Sequence, residues 1–363
     1  MMNTMNAPKY AIAALALSAS LLLGACSNTH KEQLVIAIPA VDKHISVMGR
    51  TLSNPDKSLS FGYPGVSLRM EILGSALSME AQSTSDNSYL DITVDEVMQT
   101  IKLSSKLETI PIFTASKSAK HSIEIVHRSE TWHGTVTINQ FKLTGSKFLA
   151  APKLPKRKIL VLGDSVTCGE AIDRQAGEAK NTRWWNPRHS YGMLTAKKLN
   201  AQVQLVCYGG RGLIRSWNGK TDELNLPDFY PLTIADAQHP IQWKQADYKP
   251  DLVVSAIGTN DFSQGIPDRE TYIKAYVKLI QQLLTDHPKA KIAVTEGAIL
   301  NGDSKTAMIE YLAEALNRVN NPNVYRVNST HYQGDATDAH PTDEQHADMA
   351  NDLAPQLTAI MGW

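Results

Sequence analysis

The stretch KILVLGDSVTCG, residues 158–169, decides the fold. Its first half, Lys158 to Gly163, is a short continuous apolar run, the text of a strand buried on both faces, and it ends on a polar, glycine-flanked turn that carries Ser165. Runs of the same kind recur at 202–208 (QVQLVCY), 252–258 (LVVSAIG), 291–296 (KIAVTE) and 324–327 (VYRV). Helical periods separate them, from Ser190 and near 269–286, 304–319 and 343–360. Strands alternating with helices predict an α/β domain over residues 158–363, built on a parallel sheet with helices on both faces. In such a sheet ligands bind beyond the carboxyl ends of the strands, near the point where strand order reverses.

Upstream the rhythm differs. Short runs at 34–38, 44–49, 66–73, 88–94, 121–127 and 134–143 alternate apolar and polar residues between Asn, Asp, Ser and Gly clusters. That pattern predicts an all-β, jelly-roll-like sandwich over residues 26–149. AAPKLPKR at 150–157 carries two prolines and no apolar period, and reads as the linker.

Polar, glycine-rich text stands at three strand ends: GDSVTCG at 163–169, GGRG at 209–212 and GTND at 258–261. A fourth element, DAHP at 338–341, lies near the C-terminus. Each block alone is an ordinary turn. Together they resemble the four blocks of the SGNH hydrolase superfamily, here Ser165, Gly210, Asn260 and His340, and the resemblance spans the C-terminal domain and implies its flavodoxin-like three-layer α/β/α form.

The chemistry explains the residue types. A serine hydroxyl needs a base within hydrogen-bond reach, which His340 supplies. An acyl-transfer intermediate places negative charge on the former carbonyl oxygen, and the amides of Ser165 and Gly210 with the Asn260 side chain are its candidate donors. The superfamily usually places its aspartate three residues before the histidine, where this chain has Thr337. Asp338, two before, is the available carboxylate; the open alternative is a backbone carbonyl that orients His340. His346 lies six residues after His340, on another helical face, and no further ligand set accompanies it. It reads as a solvated helical histidine, and neither a metal nor a cofactor is expected.

The two-domain layout, with GDSVTCG, SYGMLTA at 190–196, GRGLIR at 210–215 and DAHP, resembles carbohydrate esterase family 2 over most of the chain. That resemblance implies removal of O-acetyl groups from a xylan- or mannan-type polysaccharide. Ala339 departs from it, since family members often carry an aromatic residue there. Trp184, Trp185 and Trp217 are candidates for an apolar platform under a sugar ring, or for caps on the domain interface. Cys168 and Cys207, three residues after Ser165 and three before Gly210, are either a disulfide or two buried thiols.

The N-terminus reads as a targeting segment, residues 1–25: Lys9, an uncharged run from Ala11 to Leu23, then LGAC at 23–26. LGAC resembles the bacterial lipobox, which implies Cys26 as a lipidated membrane anchor on a secreted, cell-envelope lipoprotein. Ser27 at the next position favours the outer membrane of a Gram-negative cell. Lys plus Arg and Asp plus Glu both number 36, without a block of like charge, which argues against a nucleic-acid partner. Two rival functions remain: a lipase or thioesterase on the same blocks, and a silent carbohydrate-binding lipoprotein.

Overall fold

The structure, a computed structural model, describes residues 34–363; the predicted signal segment and the Cys26 anchor lie outside the described residues. The N-terminal part folds as nine antiparallel strands, β1 (Val35–Pro39), β2 (Ser46–Met48), β3 (Leu52–Ser53), β4 (Leu59–Phe61), β5 (Ser67–Ser83), β6 (Tyr89–Val94), β7 (Val97–Lys102), β8 (Glu108–His127) and β9 (Val136–Phe148). They run in the order β3-β4-β9-β5-β8-β6-β7, with β1 on β9 and β2 on β5.

Three of the strands, β5, β8 and β9, are longer than the runs at 66–73, 121–127 and 134–143. β5 runs for 17 residues because its alternation survives a change of phase: Leu68, Met70 and Ile72 are buried, then Leu77, Met79 and Ala81. A register shift at Gly74/Ala76 flips the inward face. The bulge thus keeps apolar residues on the core side past the point where strict alternation would turn them outward. Residues 108–120 of β8 escape a period-two reading because the segment is mostly exposed, with Ile112 its one buried side chain.

The second part carries five parallel strands, β10 (Arg157–Gly163), β11 (Ala201–Cys207), β12 (Leu252–Ala256), β13 (Lys291–Val294) and β14 (Val324–Arg326). Their order is β11-β10-β12-β13-β14, with every neighbour parallel. The helices are α1 (Ser165–Cys168), α2 (Tyr191–Lys198), α3 (Leu226–Phe229), α4 (Arg269–Asp286), α5 (Gly302–Val319) and α6 (Asp343–Met361). Two apolar clusters flank the sheet: Leu160, Leu162, Val253 and Ile292 pack with Tyr272, Tyr276 and Leu312, while Ile159, Val161, Val203 and Val254 pack with Leu353 and Leu357. Strand order reverses between β10 and β12, so their carboxyl ends open a crevice.

The two parts share a polar, buried boundary. Arg50, fully buried, donates from Nη1 to the carbonyl of Leu232 at 3.0 Å, and its guanidinium lies 5.2 Å from the Trp243 ring centre. Arg128 grips Asp91 with Nη1 at 3.0 and 3.1 Å, and donates to the Arg183 carbonyl at 2.9 Å. Arg128 is a paired buried charge, whereas Arg50 meets no carboxylate among the described residues and is held by carbonyl oxygens and aromatic rings of the other part. No helix among the described residues is long and apolar enough to cross a membrane.

Candidate active site

β10 delivers the serine. A side chain at Gly163 would place its Cβ 2.0 Å from Thr167 Oγ1, so the strand can turn this tightly only through glycine. Asp164 caps α1, accepting from the Val166 amide at 3.1 Å, and burial lifts its carboxyl to about 6 against that bond. Ser165 is therefore the first helical residue, and its own amide has no intrahelical acceptor. Its Oγ lies 2.8 Å from His340 Nε2.

The histidine arrives on the loop before α6, whose start is fixed by Thr342 accepting from the Gln345 amide. Asp338 Oδ1 lies 2.6 Å from His340 Nδ1, so of the two candidates for orienting the ring it is this carboxylate that stands against Nδ1. Burial pulls the His340 imidazole down, but the Asp338 bond and the Glu170 charge outweigh it and leave the ring above its ordinary value. Burial likewise pushes Asp338 up, and it is overruled by His340 and Lys180, which hold the carboxylate well below its usual range.

Three residues near this pair had no signal in the sequence. Arg174 clamps the histidine loop: Nη1 donates to the carbonyl of Asp338 at 2.6 Å, and Nη2 to those of His340 at 2.6 Å and Pro341 at 2.7 Å. Lys180 Nζ bridges Glu170 Oε1 at 2.5 Å and Asp338 Oδ2 at 2.9 Å. All three lie in the insert between β10 and α2, which has neither period nor motif, so only tertiary structure reveals their convergence.

The loop after β11 carries Gly210. Its φ of +73° is left-handed, and an added Cβ would sit 2.8 Å from Trp217 Cδ1. Asp261 organises this loop by accepting from the amides of Leu213 (2.8 Å), Ile214 (2.7 Å) and Arg215 (3.1 Å). Beside it, Asn260 Nδ2 donates one hydrogen to the Arg211 carbonyl at 2.9 Å, and its second hydrogen is left for a ligand. Cys168 and Cys207 form a disulfide that ties the serine turn to this loop.

The β-sandwich also reaches the site. Glu130, fully buried, accepts from the Gly209 amide at 2.5 Å, from Trp185 Nε1 at 2.7 Å and from Trp132 Nε1 at 3.1 Å. Burial and the nearby Glu170 charge push its carboxyl up to about 7 despite these donors. Trp132 is half exposed at the rim. No sequence motif marked either residue, because their contacts, Glu130 with Gly209 and Trp132 with Trp185, span two domains.

The platform reading of the tryptophans needs correction. Trp184 and Trp185 are 2 % and 3 % exposed, Trp184 clustered with Ala171 and Trp185, and Trp185 edge-on to Trp132 with its Nε1 on Glu130, so neither offers a face to a ligand. Trp217, 58 % exposed and laid against Gly210, does. His346 is also corrected: it is fully buried, its Nδ1 accepts from the Tyr191 amide at 3.1 Å, and burial pulls the ring down to about 3. The helical face assigned to solvent faces α2 instead. No cluster of metal-ligating side chains occurs among the described residues.

A hydroxyl, an imidazole and a carboxylate in hydrogen-bond sequence, with donors from two loops beside them, form a constellation competent for acyl transfer. Comparison with known proteins places it in a lineage. Residues 47–152 match the family described as carbohydrate esterase 2 N-terminal, and residues 161–353 match the GDSL-like lipase/acylhydrolase family. A Cellvibrio japonicus protein named acetylxylan esterase / glucomannan deacetylase is 57% identical over 351 residues, covering 96% of this chain and 98% of that one. The chain belongs to carbohydrate esterase family 2.

Solved structures agree. A family two carbohydrate esterase from Cellvibrio japonicus superposes with a TM-score of 0.90 at 58% identity, over 91% of this chain and 99% of that one. A family two carbohydrate esterase from Clostridium thermocellum, solved in complex with cellohexaose, gives 0.82 at 26% identity, over 88% of this chain and 99% of that one.

Proposed function

We propose that this family 2 esterase removes acetyl groups from an O-acetylated polysaccharide of the xylan or glucomannan type, through an acetyl-enzyme on Ser165. The observation that carries the reading is the unbroken sequence Ser165 Oγ, His340 Nε2, His340 Nδ1 and Asp338 Oδ1, with spacings of 2.8 and 2.6 Å. Because Asp338 is a carboxylate that only accepts, Nδ1 carries the ring proton and Nε2 is free to act as base.

In this reading His340 takes the Ser165 proton as Oγ attacks the acetyl carbonyl. The amides of Ser165 and Gly210 and the side chain of Asn260 receive the oxyanion, each donor being worth about 3–4 kcal/mol of barrier. The imidazolium, steadied by Asp338, then protonates the departing sugar oxygen. Water activated by the same ring releases acetate. Trp217 and Trp132, the two exposed indoles at the rim, offer apolar faces to the chain of sugars. The targeting segment and a lipid on Cys26 would hold the enzyme at the cell envelope, in the outer membrane of a Gram-negative cell; metabolic labelling with palmitate tests this, and an unlabelled protein rejects the anchor.

Acetate release from acetylated xylan and acetylated glucomannan tests the substrate class. A chain-length series of nitrophenyl acetate, butyrate and octanoate should favour acetate. Preference for octanoate with no release from either polymer would support a lipase instead.

A further inference from the structure

We propose that Glu130, a residue of the β-sandwich, is a positioning residue for the oxyanion loop, so that the two domains build one active site. This deepens the esterase reading above, in which the Gly210 amide receives the oxyanion, and rests on it.

The loop after β11 has little rigidity of its own. It opens on two adjacent glycines, Gly209 and Gly210, the residue type that loses the most conformational freedom on being ordered. The disulfide holds it upstream at Cys207, and Asp261 gathers the amides of Leu213, Ile214 and Arg215 downstream. Between these anchors the Tyr208 amide reaches the Gly163 carbonyl only at 3.4 Å, and the Trp217 amide holds the Gly210 carbonyl at 2.9 Å. The Gly210 amide donates to no group among the described residues, as a donor kept for an oxyanion must. Its direction depends on the residue before it.

Glu130 grips that residue. Its Oε2 accepts from the Gly209 amide at 2.5 Å and from Trp132 Nε1 at 3.1 Å, while its Oε1 accepts from Trp185 Nε1 at 2.7 Å. A Cβ on Gly209 would stand 2.9 Å from Oε1, so only a bare Cα admits the carboxylate this closely. Only the φ and ψ of Gly209 separate the gripped amide from that of Gly210, and fixing one narrows the positions open to the other.

The grip is itself fixed. Glu130 lies on the segment between β8 and β9, where its amide donates to His133 Nδ1 at 3.2 Å and its carbonyl accepts from the His133 amide at 2.9 Å. Arg128, two residues earlier, is locked onto Asp91. A functional group held by such supporting bonds is preorganised, which an oxyanion site requires. The carboxylate is fully buried and faces three N–H donors and the like charge of Glu170. Burial of that kind is costly and is sustained by the convergence of the donors.

The competing role for Glu130 is to join the domains and nothing more, in which case its loss lowers stability and leaves kcat of the folded enzyme unchanged. Kinetics on nitrophenyl acetate separate the two. We expect folded Glu130→Ala to lose about 10²-fold in kcat, the scale of a misplacement of about 1 Å, with KM changed by less than about threefold. Methylboronic acid, which adds to Ser165 Oγ as a tetrahedral anion, should bind more weakly by a similar factor. Glu130→Gln keeps an oxygen for the Gly209 amide but turns an NH₂ toward Trp185. It should lose about tenfold, and it carries the test if the alanine variant does not fold. Gly209→Ala crowds the carboxylate from the other side, so Glu130→Ala/Gly209→Ala should lose little more than the worse single variant. A kcat within about twofold of wild type in either folded Glu130 variant, or losses that multiply in the double variant, overturns the proposal. Full activity in Gly210→Ala would instead reject the oxyanion reading beneath it.

Discussion

Asp338 Oδ1 meets His340 twice, lying 2.6 Å from ring Nδ1 and accepting from the His340 backbone amide at 2.9 Å. The second contact is an Asx turn, in which an aspartate bonds its own chain two residues on. It shows how a carboxylate two positions before the histidine can meet the ring: the turn brings residue and ring together locally. Arg174 then holds the same loop by its carbonyls, so the pair is fixed from both sides.

Removing that carboxylate should cost catalysis more than binding. We expect Asp338→Ala to lower kcat on nitrophenyl acetate by about 10²–10⁴ with little change in KM, because the ring loses both tautomer control and its counter-charge. A loss below tenfold would return the orienting role to a backbone carbonyl.

The acid limb of the pH profile follows from His340. Its folded pKa is raised, so the base is protonated at low pH, and kcat/KM should rise with pH through a midpoint above 6.5. The same sign holds for stability: the contribution from this ring is complete below 6.5 and is lost as pH climbs through its folded value. Glu170→Gln removes one of the charges that raise the ring, and should move the kinetic midpoint to lower pH. A midpoint that stays fixed in this variant would show that Glu170 does not act on the ring.

Gly210→Ala tests the oxyanion loop without touching a side chain. A left-handed φ and a Cβ contact of 2.8 Å with Trp217 force either the loop or the indole to shift. We expect kcat to fall about 10²-fold or more, the effect of losing one preorganised donor. Full activity would mean the amide at 210 is not used.

The disulfide closes a loop with a sequence separation of 39. By chain entropy it should contribute about 4 kcal/mol, so the Cys168→Ala/Cys207→Ala double variant should unfold at distinctly lower denaturant. Activity should fall as well, because the bond couples the serine turn to the Gly210 loop. A variant with unchanged midpoint and unchanged kcat would contradict both.

The sequence makes the strand-end chemistry legible because each block is local. Ser165, Gly210, Asn260 and His340 sit in turns whose residue types announce the need for a nucleophile, a bare backbone, an amide and a base. Buried strands and amphipathic helices are legible for the same reason; α4 occupies Arg269–Asp286, the span its apolar period predicts. What stays hidden is what only packing creates. Glu130 reaches Gly209 across the domain boundary, and Arg174, Glu170 and Lys180 converge from an insert with no period. Trp184, Trp185 and His346 show the converse failure, since nothing local in a sequence states which neighbour will cover an aromatic face: the β domain covers Trp185, and α2 covers His346. The length of β5 was masked by a bulge that changes the phase of its alternation.

The most direct measurement is acetate release from acetylated glucomannan by the wild-type enzyme and Ser165→Ala side by side, with folding of both checked by circular dichroism. The wild type should release acetate steadily, and the variant should lose about 10³-fold or more of that rate while remaining folded. Acetate released at the wild-type rate by folded Ser165→Ala would contradict the assignment of Ser165 as nucleophile.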